Sequence, residues 1–181
     1  MPISSTDILF KLSVTTGSAG NSTAAGAAGT SLGKYISTTQ LVDATLDNLF
    51  PDVTGTENAD DNVDYQCLFV HNNHATLTLQ NAVAYISADV SGGANVAIAV
   101  DAIGPAAVGS SSAQAAQIAN KDTAPTGVGA FSAPTDEASG LALGSIGPGQ
   151  VKAIWIRRTA TNSAALNNDG ATIAVAGDTT A

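Results

Sequence analysis

Large apolar residues in this chain fall at alternate positions over short stretches, and runs of glycine, alanine, serine and threonine separate those stretches. Residues 7–14 set the pattern. Ile8, Phe10, Leu12 and Val14 share one side, Asp7, Lys11 and Ser13 share the other, and only Leu9 interrupts the alternation. A period of two marks a strand with one buried face. Residues 34–38, 75–79, 82–88 and 95–100 predict further strands, the last two separated by Gly92-Gly93. Residues 65–72 differ, because Tyr65, Cys67, Leu68, Phe69 and Val70 leave neither face polar, which predicts a central strand. The turn Gly147-Pro148-Gly149 leads into a strand over 150–158 that puts Val151, Ala153 and Trp155 on one face. Asn167-Asn168-Asp169-Gly170 is a turn signal ahead of a last strand over 171–176.

The remaining segments read as connections. Residues 41–50 admit a turn of helix that Pro51 would end, and 54–64 read as an acidic turn region. Residues 15–33 and 104–140 predict long loops, the first of them a flexible loop or arm, because small side chains bury little when they order. Within the second, 113–119 has only Ile118 as a large apolar side chain, which favours loop over helix. Seven or eight short strands without alternating helices predict an all-β fold. The expected architecture is a single antiparallel β-sandwich domain over 1–181, of jelly-roll or immunoglobulin-like type.

Composition narrows the chemistry. Aromatic residues make up only 4% of the chain, so the core must draw on a limited set of Ile, Val, Leu, Phe and Tyr positions. The formal charge of -9 disfavours phosphate, hence nucleic acid. No Lys or Arg occurs over 35–120, whereas Lys152, Arg157 and Arg158 lie close together, a separation that suits contacts between neighbouring molecules or simply an acidic solvated face. Cys67 stands alone within an apolar run, which predicts a buried small hydrophobe and no internal disulfide. No stretch approaches the length of a membrane span and no charged leader precedes an apolar one, so a soluble chain made in the cytoplasm is expected.

Four motifs invite a chemical reading. Gly29-Thr30-Ser31-Leu32-Gly33 matches the Gly-x-Ser-x-Gly elbow of hydrolases, but a Gly/Ala loop precedes it and no evident helix follows. His71 and His74 would need further ligands to hold a metal, and local hydrogen bonding in a turn is favoured. Asp60-Asp61-Asn62-Val63-Asp64 offers oxygens for calcium without the glycine and distal glutamate of an EF-hand loop, so a solvated acidic turn is favoured. Gly144 to Gly149 contains Pro148 and enters a strand, which makes it a turn and not a phosphate cradle. Arg157-Arg158 is the most suggestive polar pair, because alternation sends one guanidinium to each face. One would serve an internal carboxylate and the other a neighbouring subunit, or both would be solvated strand-end charges. Candidate interface residues are therefore Arg157, Arg158, Lys152 and Trp155; no catalytic, cofactor or metal residue is assigned.

The order of several segments resembles a family of tailed-bacteriophage virion structural proteins of head decoration or cement type. The segments are Asp7-Ile8-Leu9-Phe10-Lys11-Leu12-Ser13, Ser31-Leu32-Gly33-Lys34-Tyr35-Ile36-Ser37, Asn48-Leu49-Phe50-Pro51-Asp52-Val53-Thr54-Gly55, Asp64-Tyr65-Gln66-Cys67-Leu68-Phe69-Val70-His71-Asn72, Gly147-Pro148-Gly149, Ala153-Ile154-Trp155-Ile156-Arg157-Arg158-Thr159 and Asn167-Asn168-Asp169-Gly170. Where the family pattern often has a second glycine after Leu32-Gly33, this chain has Lys34. The resemblance implies a β-sandwich on the outside of a capsid, bridging neighbouring major capsid proteins as a homo-oligomer. It implies no substrate, and with the charge and run lengths above no cofactor, nucleic-acid or membrane partner is expected. Two other readings remain open. One is a tail, baseplate or fibre-associated β domain that binds glycan through Trp155 and Tyr85; the other is a secreted or enzymatic sandwich built around Ser31.

Overall fold

The computed structural model describes residues 2–17 and 24–179, and these form two antiparallel sheets facing one another. The strands are β1 (Ile8–Val14), β2 (Tyr35–Gln40), β3 (Val63–Asn72), β4 (Leu79–Asp89), β5 (Asn95–Val100), β6 (Ala106–Ala107), β7 (Leu141–Ile146), β8 (Gln150–Thr159) and β9 (Ala171–Thr179). The larger sheet runs β2-β1-β3-β8-β5, with β6 continuing alongside β8 where β5 ends, and the smaller runs β7-β4-β9. The all-β sandwich expected from the alternation is the observed fold.

Two apolar layers follow from the chain's two kinds of strand. Between the sheets, Leu12, Leu68, Val70, Ile154 and Ile156 meet Leu79, Ala84, Ile86, Leu143 and Ile146. The opposite face of β3 and β8 is equally apolar, and it too is covered: Cys67, Phe69, Val151, Ala153 and Trp155 pack beneath Ala113, Ala115 and Ile118 of the long loop. Each large aliphatic or phenylalanine side chain removed from water this way contributes about 1.5–3 kcal/mol, and each alanine less. Trp155 and Cys67 are both 0% exposed. The doubly apolar run at 65–72 is thus a central strand covered on both sides, as its pattern predicts.

The segment over 24–33, expected to be flexible, is also part of this cover. Ile118 N–H donates to Leu32 O at 3.1 Å, Ala115 N–H to Lys34 O at 3.0 Å, and Lys34 N–H to Ala116 O at 3.2 Å. The two loops therefore pair with each other across the outside of the sheet. Ser13, expected on a solvent-facing side of β1, is fully buried under them. The 18–23 portion of the expected arm lies outside the described residues.

Other expectations need correcting. Residues 41–50 form turns, with Ala44 and Asp47 at φ 55° and 54°, values a right-handed helix excludes. The short helix α1 (Gly55–Ala59) instead follows Pro51, because Thr54 and Glu57 make a reciprocal capping box. Residues 75–78 are not a strand: His74 Nδ1 accepts the N–H groups of Thr76 and Leu77 at 3.1 and 2.9 Å, holding a turn until β4 begins at Leu79. Within the expected 104–140 loop lies β6, and just beyond it β7, whose glycine-interrupted Leu141-Ala142-Leu143-Gly144 conceals its alternation.

Gly33 and Lys34 give this cover a measurable consequence. A Cβ on Gly33, at φ +89°, would lie 1.9 Å from Ala116 O and 2.9 Å from the Trp155 ring. Lys34 sits at φ 73°, a conformation that glycine adopts freely and other residues at a cost of about 1–2 kcal/mol. Gly33→Ala should lower unfolding stability by about 3 kcal/mol or more. Lys34→Gly should be neutral or stabilising by up to about 1 kcal/mol. Urea titration of both variants checks the pair, and equal losses at the two positions would contradict the packing described.

Candidate functional site

Ser31 sits where the 24–33 segment crosses β1 and β3, and it is fully buried. Its hydroxyl donates to Cys67 O at 2.5 Å and accepts the Ser13 N–H at 2.7 Å, while its own N–H donates to Gln66 Oε1 at 2.8 Å. No strand-to-helix elbow surrounds it. Ser31 fastens the cover to the sheet, and its hydroxyl is committed to neighbouring backbone.

The two histidines do not converge on a shared ligand. His74 organises the turn described above, whereas His71 is buried near the end of β3, where burial first and Lys11 second lower its pKa. No group of three or more metal-binding side chains occurs among the described residues.

The acidic stretch 60–64 divides according to burial. Asp60 and Asp61 are exposed, but Asp64 points inward from β3 and is 3% exposed. Its two oxygens bind different cations, Lys121 Nζ at 2.8 Å and Arg158 Nη2 at 2.6 Å, and Asn62 Nδ2 donates to it at 2.9 Å. Lys121 also reaches Glu57 on α1 at 2.6 Å, and Arg158 donates to Pro51 O at 2.6 Å with its guanidinium 4.6 Å from the Phe50 ring centre. One buried carboxylate thereby ties β3, β8, α1 and two loops together. Hydrogen bonds from Lys121 first, then from Thr54, hold Glu57 down to about 2 from its ordinary 4.5.

A second polar knot lies where β5 gives way to β6. Asp101 N–H still donates to Ala153 O at 3.2 Å, but residues 102–105 leave the β8 ladder, and Lys152 fills the gap by donating to Asp101 O at 2.7 Å and to the Ile103 carbonyl. Asp101, itself 3% exposed, accepts from Ile103 N–H at 3.0 Å, Ala116 N–H at 2.9 Å and Trp155 Nε1 at 3.2 Å. Burial lowers the Lys152 pKa, and Asp101 partly offsets that.

Of the four interface candidates, Trp155 and Lys152 are therefore interior groups, since an indole at the centre of the second core and an ammonium capping carbonyls cannot present themselves to a partner. Arg158 serves an internal carboxylate, as the alternation argument allowed for one of the pair. Arg157 lies on the opposite face, 5.3 Å from the Phe131 ring centre and partly exposed. Asp101 and Lys121 went unrecognised in the sequence, where an acid after an apolar run and a lone lysine in a loop carry no distinguishing pattern. The Thr54-x-x-Glu57 spacing is the signal that would have found α1 within the expected acidic turn region.

Turning these groups inward changes the surface. Lys11, Lys34, Lys121, Arg157 and Arg158 are half-buried and Lys152 is buried, whereas Asp43, Asp47, Asp52, Asp60, Asp61, Asp89 and several further carboxylates are exposed. The exterior is acidic, and the cations are not gathered on an opposing face. Its concavities are shallow: a depression of about 400 Å³ is lined by Asn81, Val83, Glu137, Ala138, Gly177 and Asp178, and another of about 300 Å³ by residues including Ile86, Asp89 and Thr135. No described helix is long and apolar enough to cross a membrane. Comparison with protein-family models, curated proteins and solved structures finds no match to this chain.

The Asp64 knot carries a stability prediction. Asp64→Asn removes the charge shared by two enclosed cations and should cost about 3 kcal/mol or more. Glu57 behaves differently because it is partly exposed. Its folded pKa lies below the ordinary value, so its contribution is complete above about 4.5 and is lost as pH falls toward 2. Glu57→Gln should flatten the acid limb of the stability–pH curve in that window while changing neutral-pH stability by about 1 kcal/mol at most. Urea titrations at a series of pH values test both.

Proposed function

We propose that this chain is a structural virion protein that binds the outside of a tailed-phage capsid and cements neighbouring major capsid proteins. The observation that carries this reading is the placement of the polar groups: Ser31, Asp64, Asp101, Lys152 and Arg158 all serve interior contacts. What remains outside is an acidic surface with shallow relief, suited to a basic or polar protein face by charge. The segment order that resembles decoration and cement proteins points the same way. A cement protein adds contact area between subunits and stabilises the assembled shell by binding it in preference to the dissociated parts.

The tail or fibre reading loses its main glycan-stacking residue, because Trp155 is enclosed; Tyr85, half-buried on the outer face of β4, is left to carry it alone. Electron microscopy of purified particles of the phage encoding the chain separates the two. High-copy density for this fold on the outer head lattice is expected. Density confined to the tail, or none on the head, rejects the cement role.

A further inference from the structure

A sheet edge exposes unpaired N–H and C=O groups that can template another strand, and folded chains ordinarily cover, shorten or bend their edges. Three edges here follow that rule. Beside β2, Thr38 N–H donates to Ala24 O at 3.2 Å and Thr39 Oγ1 to Gly26 O at 3.0 Å. Beside β5, Ile98 and Ser132 exchange hydrogen bonds of 2.8 and 3.0 Å, and Gly129 N–H donates to Val100 O at 2.9 Å. β7 is only six residues long and is interrupted by Gly144 at φ +80°, where its register with β4 shifts.

β9 is the exception. It spans nine residues, has no proline, carries Asp178 as its one charge and pairs with β4 alone; its register with β4 shifts twice, but the extra residue lies on β4 each time, so β9 itself has no bulge. No other described segment hydrogen-bonds to its backbone over 171–179.

Ile86 N–H donates to Pro134 O on the side of β4 away from β9, so Ile86 and its β9 neighbour Ile173 form a pair whose backbone groups point apart. Alternation extends this to Val175, opposite Ala84. Ile173 and Val175 therefore direct their N–H and C=O groups outward along the free edge. Their side chains lean on the inter-sheet core and are only half-buried, while Ala174 and Ala176 occupy the outer face.

We propose that β9 pairs antiparallel with β9 of a second copy of this chain, about a two-fold axis at Val175, joining the two smaller sheets into one. The strand matches itself about that axis. Ile173 falls opposite Gly177, Ala174 opposite Ala176, and Asp178 opposite Thr172, so no like charges meet and the inner apolar row continues across the junction. Val175 exchanges both hydrogen bonds with its symmetry mate. This pairing is a property of the chain in solution and does not depend on the capsid reading.

Sedimentation across a wide concentration range, combined with circular dichroism to verify the fold, tests it. The native chain should dimerise. Ala174→Glu with Ala176→Glu places two carboxylate pairs across the axis and should weaken the dimer by about tenfold or more. Ala174→Lys with Ala176→Glu should restore native affinity. Thr172 is exposed, so changing it spares the core: Thr172→Asp, opposite Asp178, should weaken association and Thr172→Lys strengthen it. A native chain that stays monomeric overturns the proposal, as does a dimer indifferent to these changes; a monomer that captures a foreign extended peptide on β9 would assign the edge to another partner.

Discussion

The structure depends on the burial of β3 and β8 on both faces. A two-sheet sandwich ordinarily leaves the outer face of each sheet in water, so its strands alternate. Here Phe69, Cys67, Val151 and Trp155 point away from the facing sheet, and water would meet them unless another layer intervened. That layer is built from coil. Coil needs its backbone groups bonded when buried, and the 24–33 and 113–118 segments meet the requirement by hydrogen-bonding to each other and to Ser13, Gln66 and Asp101.

This explains why the connections are so rich in glycine, alanine and serine. A backbone lying directly over a tryptophan ring has no room for side chains between, and Gly33 is held by Ala116 on one side and Trp155 on the other. The same small residues that look like a flexible arm in sequence are what permits close approach. Serine supplies the fastening, with Ser13 and Ser31 bonded to each other at 3.0 Å and to the strands beneath. Low-complexity composition thus has two opposite physical meanings, and only the presence of an apolar face needing cover distinguishes them.

That distinction marks the limit of what the sequence makes legible. Alternation is a local property, so β1, β3, β5 and β8 can be read nearly to the residue, and the unpolar run at 65–72 reveals a doubly covered strand. β7 escapes because Gly144 interrupts it, and β6 because two residues have no period. The candidate site is less readable still. Lys152 and Arg158 resemble surface charges on a strand, yet what decides their role is the gap at 102–105 and the carboxylate of Asp64, each contributed by a distant segment. Trp155 resembles an interface aromatic until the loop that covers it is placed. Polar side chains acquire their function from long-range partners, and no local pattern names those partners.

The inward turn of the cations has a further consequence for how such a molecule binds. Cations held in these knots are unavailable for exchange with a partner, and drawing Arg158 or Lys121 out would deprive Asp64 of one of its two counter-ions in a site with almost no access to water. Association must therefore use what is already outside: exposed carboxylates, the half-exposed Lys11, Lys34 and Arg157, shallow apolar relief and unpaired backbone. The carboxylates repel a second copy, so contacts between copies are favoured where charge is absent, and β9 from Ala171 to Gly177 carries none. A partner of a different kind would be drawn to the acidic loops. The fold consequently divides its surface by chemistry, with uncharged backbone at one sheet edge and carboxylates over the turns, and the division is sharpened because Lys121, Lys152 and Arg158, half of the basic residues, are spent on holding the interior.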